Sequence, residues 1–110
     1  MYIRTKDGVY EVSHYNDWAT HKRKGATLID GDKTSYIKNE NIINQSENLE
    51  ELCDEFVLIE RNAKPIIFKT LQGSINNKIY DDEIIYGAIW TDKGLIYVAK
   101  MNEKGELCLL

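Results

Sequence analysis

A chain of 110 residues with a formal charge of −4 describes one small domain built around a single core, and it excludes a multidomain enzyme. The longest uninterrupted apolar run, Ile84 to Trp90, is seven residues long, where a membrane-crossing helix needs about 20, so no transmembrane role is expected. Residues 31–64 carry eight acids and four bases, a bias that disfavours sequence-independent DNA binding, which relies on cations to neutralise phosphate.

The opening residues reach charge at once and contain no apolar leader segment, so the expected compartment is the cytoplasm. Cys53 and Cys108 form no CxxC pair and read as two buried small hydrophobes. Ile and Val outnumber Leu, and glycines fall where the chain would reverse, which favours strands. A first hairpin is predicted over Tyr2 to Ser13, with Asp7-Gly8 as a two-residue type I′ turn. That register sets Thr5 opposite Tyr10, Ile3 opposite Val12 and Arg4 opposite Glu11. One face is then apolar and the other carries an ion pair.

Residues 14–25 break the alternation and mix aromatic and basic side chains, and they read as a long loop. Thr27 to Asp30 and Ser35 to Lys38 read as short strands around Gly31. A helix is predicted over about 48–56: Asn48 caps it, Glu51 occupies the capping-box position, and Leu49, Leu52, Cys53 and Phe56 follow i, i+3, i+4, i+7 spacing. After Pro65, a candidate joint between parts of about 1–62 and 65–110, strands are predicted at Ile66 to Leu71 and Ser74 to Tyr80.

Residues 84–110 form the clearest unit. Thr91-Asp92-Lys93-Gly94 and Asn102-Glu103-Lys104-Gly105 both fit three-residue hairpin loops with glycine in the left-handed region, giving a three-stranded meander. Ile89, Tyr97, Met101, Leu107 and Leu109 are placed on one face and Trp90, Ile96, Val98 and Cys108 on the other. Two apolar faces predict a sheet that is sandwiched, curled or barrel-like. The expected fold is thus a single α+β domain of antiparallel hairpins with one short helix packed on a curled or barrel-like sheet, the alternative being all-β. The apolar end, Leu107 to Leu110, is an edge that must be covered, paired internally or used by another chain, so a homodimer is one option.

Three segments carry a family resemblance: Met1-Tyr2-Ile3-Arg4-Thr5-Lys6-Asp7-Gly8-Val9-Tyr10-Glu11-Val12, Ile85-Tyr86-Gly87-Ala88-Ile89-Trp90-Thr91-Asp92-Lys93-Gly94-Leu95-Ile96-Tyr97-Val98-Ala99-Lys100, and Asn48-Leu49-Glu50-Glu51-Leu52-Cys53-Asp54-Glu55-Phe56-Val57. They resemble small proteins encoded by phages and prophages of low-GC Gram-positive bacteria. The resemblance implies a phage-related accessory protein in the cytoplasm of a bacterial host, a setting in which interference with host or competing-phage machinery is common. It brings no site residues with it.

For chemistry, Tyr15, Trp18, His21, Lys22, Arg23 and Lys24 in the loop, with Tyr36 nearby, form the candidate binding surface. Trp, Tyr and Arg are the residues of protein-interface hot spots. The same mixture can stack on bases and neutralise phosphate, so a small nucleic-acid binder is the alternative. The same residues also fit a bland role, with Tyr15 and Trp18 pinning the loop to the sheet. His14 and His21 lack partners at zinc-ligand spacing, so no metal is expected. Asp81-Asp82-Glu83 reads as a solvated turn. No P-loop, GxGxxG or GxSxG is present, Ser13-His14 adjacency in a strand argues against a dyad, and no catalytic residue or cofactor is expected. The reading is a non-enzymatic protein-binding module that modulates a host or defence factor.

Overall fold

The first hairpin forms, but its turn lies one residue earlier than Asp7-Gly8. In the computed structural model, which describes residues 1–12, 26–28, 36–60 and 64–110, β1 (Tyr2–Thr5) pairs antiparallel with β2 (Val9–Glu11). The partners are Tyr2 with Glu11, Ile3 with Tyr10 and Arg4 with Val9, which makes Lys6-Asp7 the loop. Thr5 decides this. Its amide donates to the Gly8 carbonyl at 2.8 Å, and its buried Oγ1 accepts from the amides of Asp7 at 3.2 Å and Gly8 at 3.3 Å. A side chain that closes the turn in this way needs no positive φ at Gly8. The slip moves both strands together, so Ile3 and Val12 still share a face. It separates Arg4 from Glu11 and frees Arg4 for a distant partner.

The other edge of β1 pairs with β5 (Ile42–Ser46), a strand the hydrophobic pattern does not announce, to give the order β2-β1-β5. β3 (Ala26–Leu28) and β4 (Tyr36–Lys38) form a two-stranded antiparallel ribbon where the sequence places two strands. Ile37 of this ribbon buries itself with Ile3 and Val12, so this face of the three-stranded sheet is covered.

The helix predicted over about 48–56 is shorter and different in kind. Only Leu49–Leu52 is helical, as a 3-10 turn, and Phe56 belongs to β6 (Glu55–Ile59). Asn48 does cap the turn, accepting from the Glu50 amide at 3.0 Å. Glu51 accepts from Ser46 Oγ at 2.7 Å instead of reaching back to Asn48, and Ser46 Oγ itself accepts from the Asn48 amide at 3.0 Å. Isolated helices this short gain little, and the run Phe56-Val57-Leu58 buries every side chain once it is paired on both edges. Strand pairing therefore outweighs the local helical spacing.

β6 is a central strand of the second sheet, whose order is β10-β9-β8-β6-β7, with β7 at Ile66–Phe68, β8 at Ile84–Thr91, β9 at Gly94–Met101 and β10 at Leu107–Leu109. The segment Ser74 to Tyr80, predicted as a strand, supplies instead most of α1 (Leu71–Asn77). Thr70 caps α1 by accepting from the Gly73 amide at 3.0 Å, and Gln72 bonds Asn76 one turn on at 2.8 Å. These polar bonds and packing beside β6 and β7 hold a segment of poor intrinsic helix propensity.

The meander forms as predicted, with a change of register. Thr91 pairs with Gly94, so the first loop is Asp92-Lys93; Ile89 then lies opposite Ile96, and Trp90 opposite Leu95. Val98 is an extra residue in β9, between the partners of Gly87 and Ala88, and this bulge restores the expected register beyond it. Tyr97 consequently shares a face with Trp90, and Ile96 with Ile89. The second loop keeps its three residues, with Gly105 at φ 82°.

The sheets are open rather than barrel-like: both have two free ends in their strand order. The apolar demand is met by layering instead. Val9 and Tyr2 from the first sheet, Leu49 and Leu52 from the 3-10 turn, and Ile89, Val98, Ala99, Leu107 and Leu109 from the second share one core. That inner face is buried. The outer face of the five-stranded sheet leaves Trp90, Tyr97 and Ile67 exposed.

Candidate functional site: an outer sheet face centred on Trp90

Two successive residues at the entrance to β6 organise the site, because neighbours in an extended chain point in opposite directions. Asp54 turns to the first sheet. Both of its oxygens accept from Arg4 at 2.7 Å, and Oδ2 also accepts from the Trp90 amide at 2.8 Å. Arg4 adds a bond to the Leu52 carbonyl at 3.2 Å, so one guanidinium ties β1 to the segment before β6. Burial works to raise the Asp54 carboxyl pKa, but the Arg4 bonds, the Trp90 amide and the nearby charges of Arg4 and Lys69 outweigh it and hold that carboxyl below its usual range.

Glu55 turns to the outer face. It is only 2% exposed, and its Oε1 accepts from Lys69 Nζ and, at 3.2 Å, from the indole N–H of Trp90. Those two hydrogen bonds hold its carboxyl below the usual glutamate range against the opposing effect of burial. Its second oxygen, Oε2, is buried and accepts from no described group. Trp90 is therefore fixed at both its backbone and its ring by consecutive acids while 54% of it stays exposed.

The register completes the surface. Glu55, Ala88 and Tyr97 lie side by side across β6, β8 and β9. Tyr86 and Trp90 stand two residues to either side of Ala88 on the same face, and the Tyr86 and Tyr97 rings stack at 4.8 Å and 16°. Trp90 also lines a cleft of about 720 Å³ with Thr5, Tyr10, Ile37, Ile43 and Asp92. The result is a patch of aromatic rings around a small residue, beside a carboxylate.

The basic and aromatic loop residues Tyr15, Trp18, His21, Lys22, Arg23 and Lys24 lie outside the described residues, as do His14 and Ser13. Tyr36 is in β4 opposite Leu28, its side chain likewise outside the description. Among the described residues no group of three or more metal-ligating side chains occurs, and no helix is long and apolar enough to cross a membrane. The acidic triplet is not all solvated turn. Glu83 is 3% exposed, and its Oε1 accepts from the amides of Ile79 at 2.9 Å and Tyr80 at 2.6 Å, closing the bend before β8.

The two cysteines also part company. Cys53 is pressed against Gly87, and burial, followed by the charge of Asp54, pushes its thiol up to about 11. Cys108 is exposed and Cys53 only partly buried, contrary to the expectation that both are buried. At pH 8 a thiol reagent is expected to label one site quickly and the second only in denaturant, with Cys108→Ser removing the fast site. Two fast equivalents in the folded protein would contradict this.

Glu55, Tyr86, Trp90 and Tyr97 are not among the residues the sequence singles out. Their common face depends on the Val98 bulge and on a pairing between β6 and β8 that no local pattern encodes. No family model matches the sequence, and no curated protein or solved structure is significantly similar to it.

Proposed function

We propose that the protein is a non-enzymatic protein-binding module that engages its partner through the outer aromatic face of the five-stranded sheet. The phage-like segments make a host or defence factor the natural target. The observation that carries this reading is the exposure of Trp90 (54%) and Tyr97 (41%) at diagonal positions on one face, whose rings are already held in place. Preorganised aromatic rings lose little entropy on contact, which is why Trp and Tyr dominate interface hot spots. Tyr86 and Tyr97 stack on one another rather than standing apart to admit a base, which favours a protein partner over a nucleic acid. The loop residues Trp18 and Arg23 form a second candidate contact.

The test is affinity capture from lysate of a low-GC Gram-positive bacterium, with and without nuclease. A stoichiometric protein that survives nuclease is expected. Its capture should fall by at least about 30-fold, the loss of a hot spot near 2 kcal/mol, in Trp90→Ala. Trp18→Ala with Arg23→Ala reports on the loop. Unchanged capture by Trp90→Ala rejects the sheet face, and recovery of nucleic acid alone moves the reading to a nucleic-acid binder.

A further inference from the structure

The outer face carries a charge arrangement that specifies what kind of group it receives. Ala88, fully buried, puts only a methyl group at the centre of the patch. Around it stand Glu55 on β6, Tyr97 on β9, and Tyr86 and Trp90 along β8, neighbouring strands being about 4.8 Å apart. Glu55 is covered, but by a layer one side chain deep: the Lys69 side chain is 82% exposed and Trp90 is more than half exposed. A carboxylate beneath such a cover is a counter-charge within reach of the surface. One of its oxygens serves both Lys69 and Trp90 while the other has no described partner, and a buried acceptor left unpaired is costly.

We propose that this patch receives a basic side chain of the protein partner, with Glu55 as its counter-charge and the Trp90 and Tyr97 rings as its aromatic walls, and that Lys69 is a stand-in that the incoming cation displaces. The inference rests on the aromatic-face reading above and adds the partner's chemistry. A guanidinium or ammonium group gains from the faces of Trp and Tyr and from a partly desolvated carboxylate together. Lys69 reaches the buried Glu55 carboxylate from a largely exposed position ahead of α1, so it can swing out to solvent while the incoming cation takes its place and keeps that carboxylate paired. The chain's net charge of −4 also favours a cationic approach.

The experiment uses the full chain and a defined probe, N-acetylarginine methylamide, with the uncharged N-acetylglutamine methylamide as control, followed by NMR at the indole N–H of Trp90. Trp18→Phe identifies which of the two indole signals is which. A saturable shift with the arginine probe alone is expected. Lys69→Ala, which removes the competing cation, should bind it several-fold tighter, and Glu55→Gln, which removes the counter-charge, several-fold more weakly. Opposite signs from two neighbours in one ion pair are not what a purely structural pair would give. Lys69→Ala changes an exposed side chain and keeps the test valid if Glu55→Gln unfolds. Absence of an arginine-specific saturable shift in both the natural sequence and Lys69→Ala overturns the proposal, as does equal binding by Lys69→Ala and the natural sequence. The two readings fail separately: a partner protein lost by Trp90→Ala but retained equally by Lys69→Ala and Glu55→Gln leaves the aromatic face and removes the cation, whereas retention by Trp90→Ala removes both.

Discussion

Gly87→Ala is expected to destabilise the protein by about 1–3 kcal/mol, as overpacking of a tight core does, and Gly87→Val by more. A Cβ built on Gly87 meets Cys53 Sγ at 2.7 Å and Ala99 Cβ at 3.3 Å. The first distance is one that real Cβ atoms do not tolerate, and the sulfur has little room to retreat. Cys53 follows directly on the 3-10 turn, its amide bonded to the Glu50 carbonyl at 3.3 Å, and its neighbour Asp54 is anchored by Arg4 and by the Trp90 amide. Gly87 lies in the middle of β8 between β6 and β9, so the backbone has no freedom to bow outward. The clash makes a second prediction within the first. In a Cys53→Ala background the same Gly87→Ala change should cost less than half as much, because the obstructing sulfur is gone. Urea unfolding of the four proteins forms the cycle. Equal costs in the two backgrounds would show that the sulfur is not the obstacle.

Arg4→Ala should cost about 2–4 kcal/mol, less than a fully buried pair and more than a surface one. The side chains of Arg4 and Asp54 are 18% and 30% exposed, and the fork is bidentate, with a third bond to the Leu52 carbonyl. Removing the guanidinium leaves Asp54 charged and half-desolvated with only the Trp90 amide as a donor. The pH dependence has a definite sign. The Asp54 carboxyl titrates below its ordinary 3.8 in the folded protein, so the stability it contributes is complete above that pH and is lost as pH falls through the lowered folded value. Arg4→Ala should therefore be most damaging at neutral pH and progressively less damaging as pH falls below 3.8. Unfolding free energies of the natural sequence and the variant at pH 7 and pH 3 measure the difference; a gap that is the same at both would show that the ion pair is not its source. Asp54→Asn keeps an acceptor for the Trp90 amide and should recover part of the loss.

These two positions also show where local sequence stops being informative. The strands of the meander, its two glycine turns, the 26–38 ribbon and the first hairpin are legible because each depends on residues within about 15 positions of one another. Alternation sets faces and turn residues set reversals, and Gly94 at φ 102° and Gly105 at φ 82° sit where their turns need them. Even the misplaced first turn leaves Ile3 and Val12 on their shared face, because a two-residue slip cannot exchange faces.

Other features follow from competition between segments far apart in the chain. The apolar spacing of Leu49, Leu52, Cys53 and Phe56 is as good for a helix as for its absence. What decides is that β7 and β8 are available to pair both edges of β6, and only the folded chain brings them there. Residues 74–80 read as a strand until Thr70 caps a helix and β6 and β7 give it something to pack against. Arg4 loses the partner that local pairing predicts and gains Asp54, fifty residues away. The candidate site is of this second kind throughout: Glu55, Tyr86, Trp90 and Tyr97 become neighbours through one bulge and two strand pairings. Turn chemistry and alternation are short-range and written in adjacent residues, whereas pairing partners and the charges that meet across strands are selected by the burial of the whole chain.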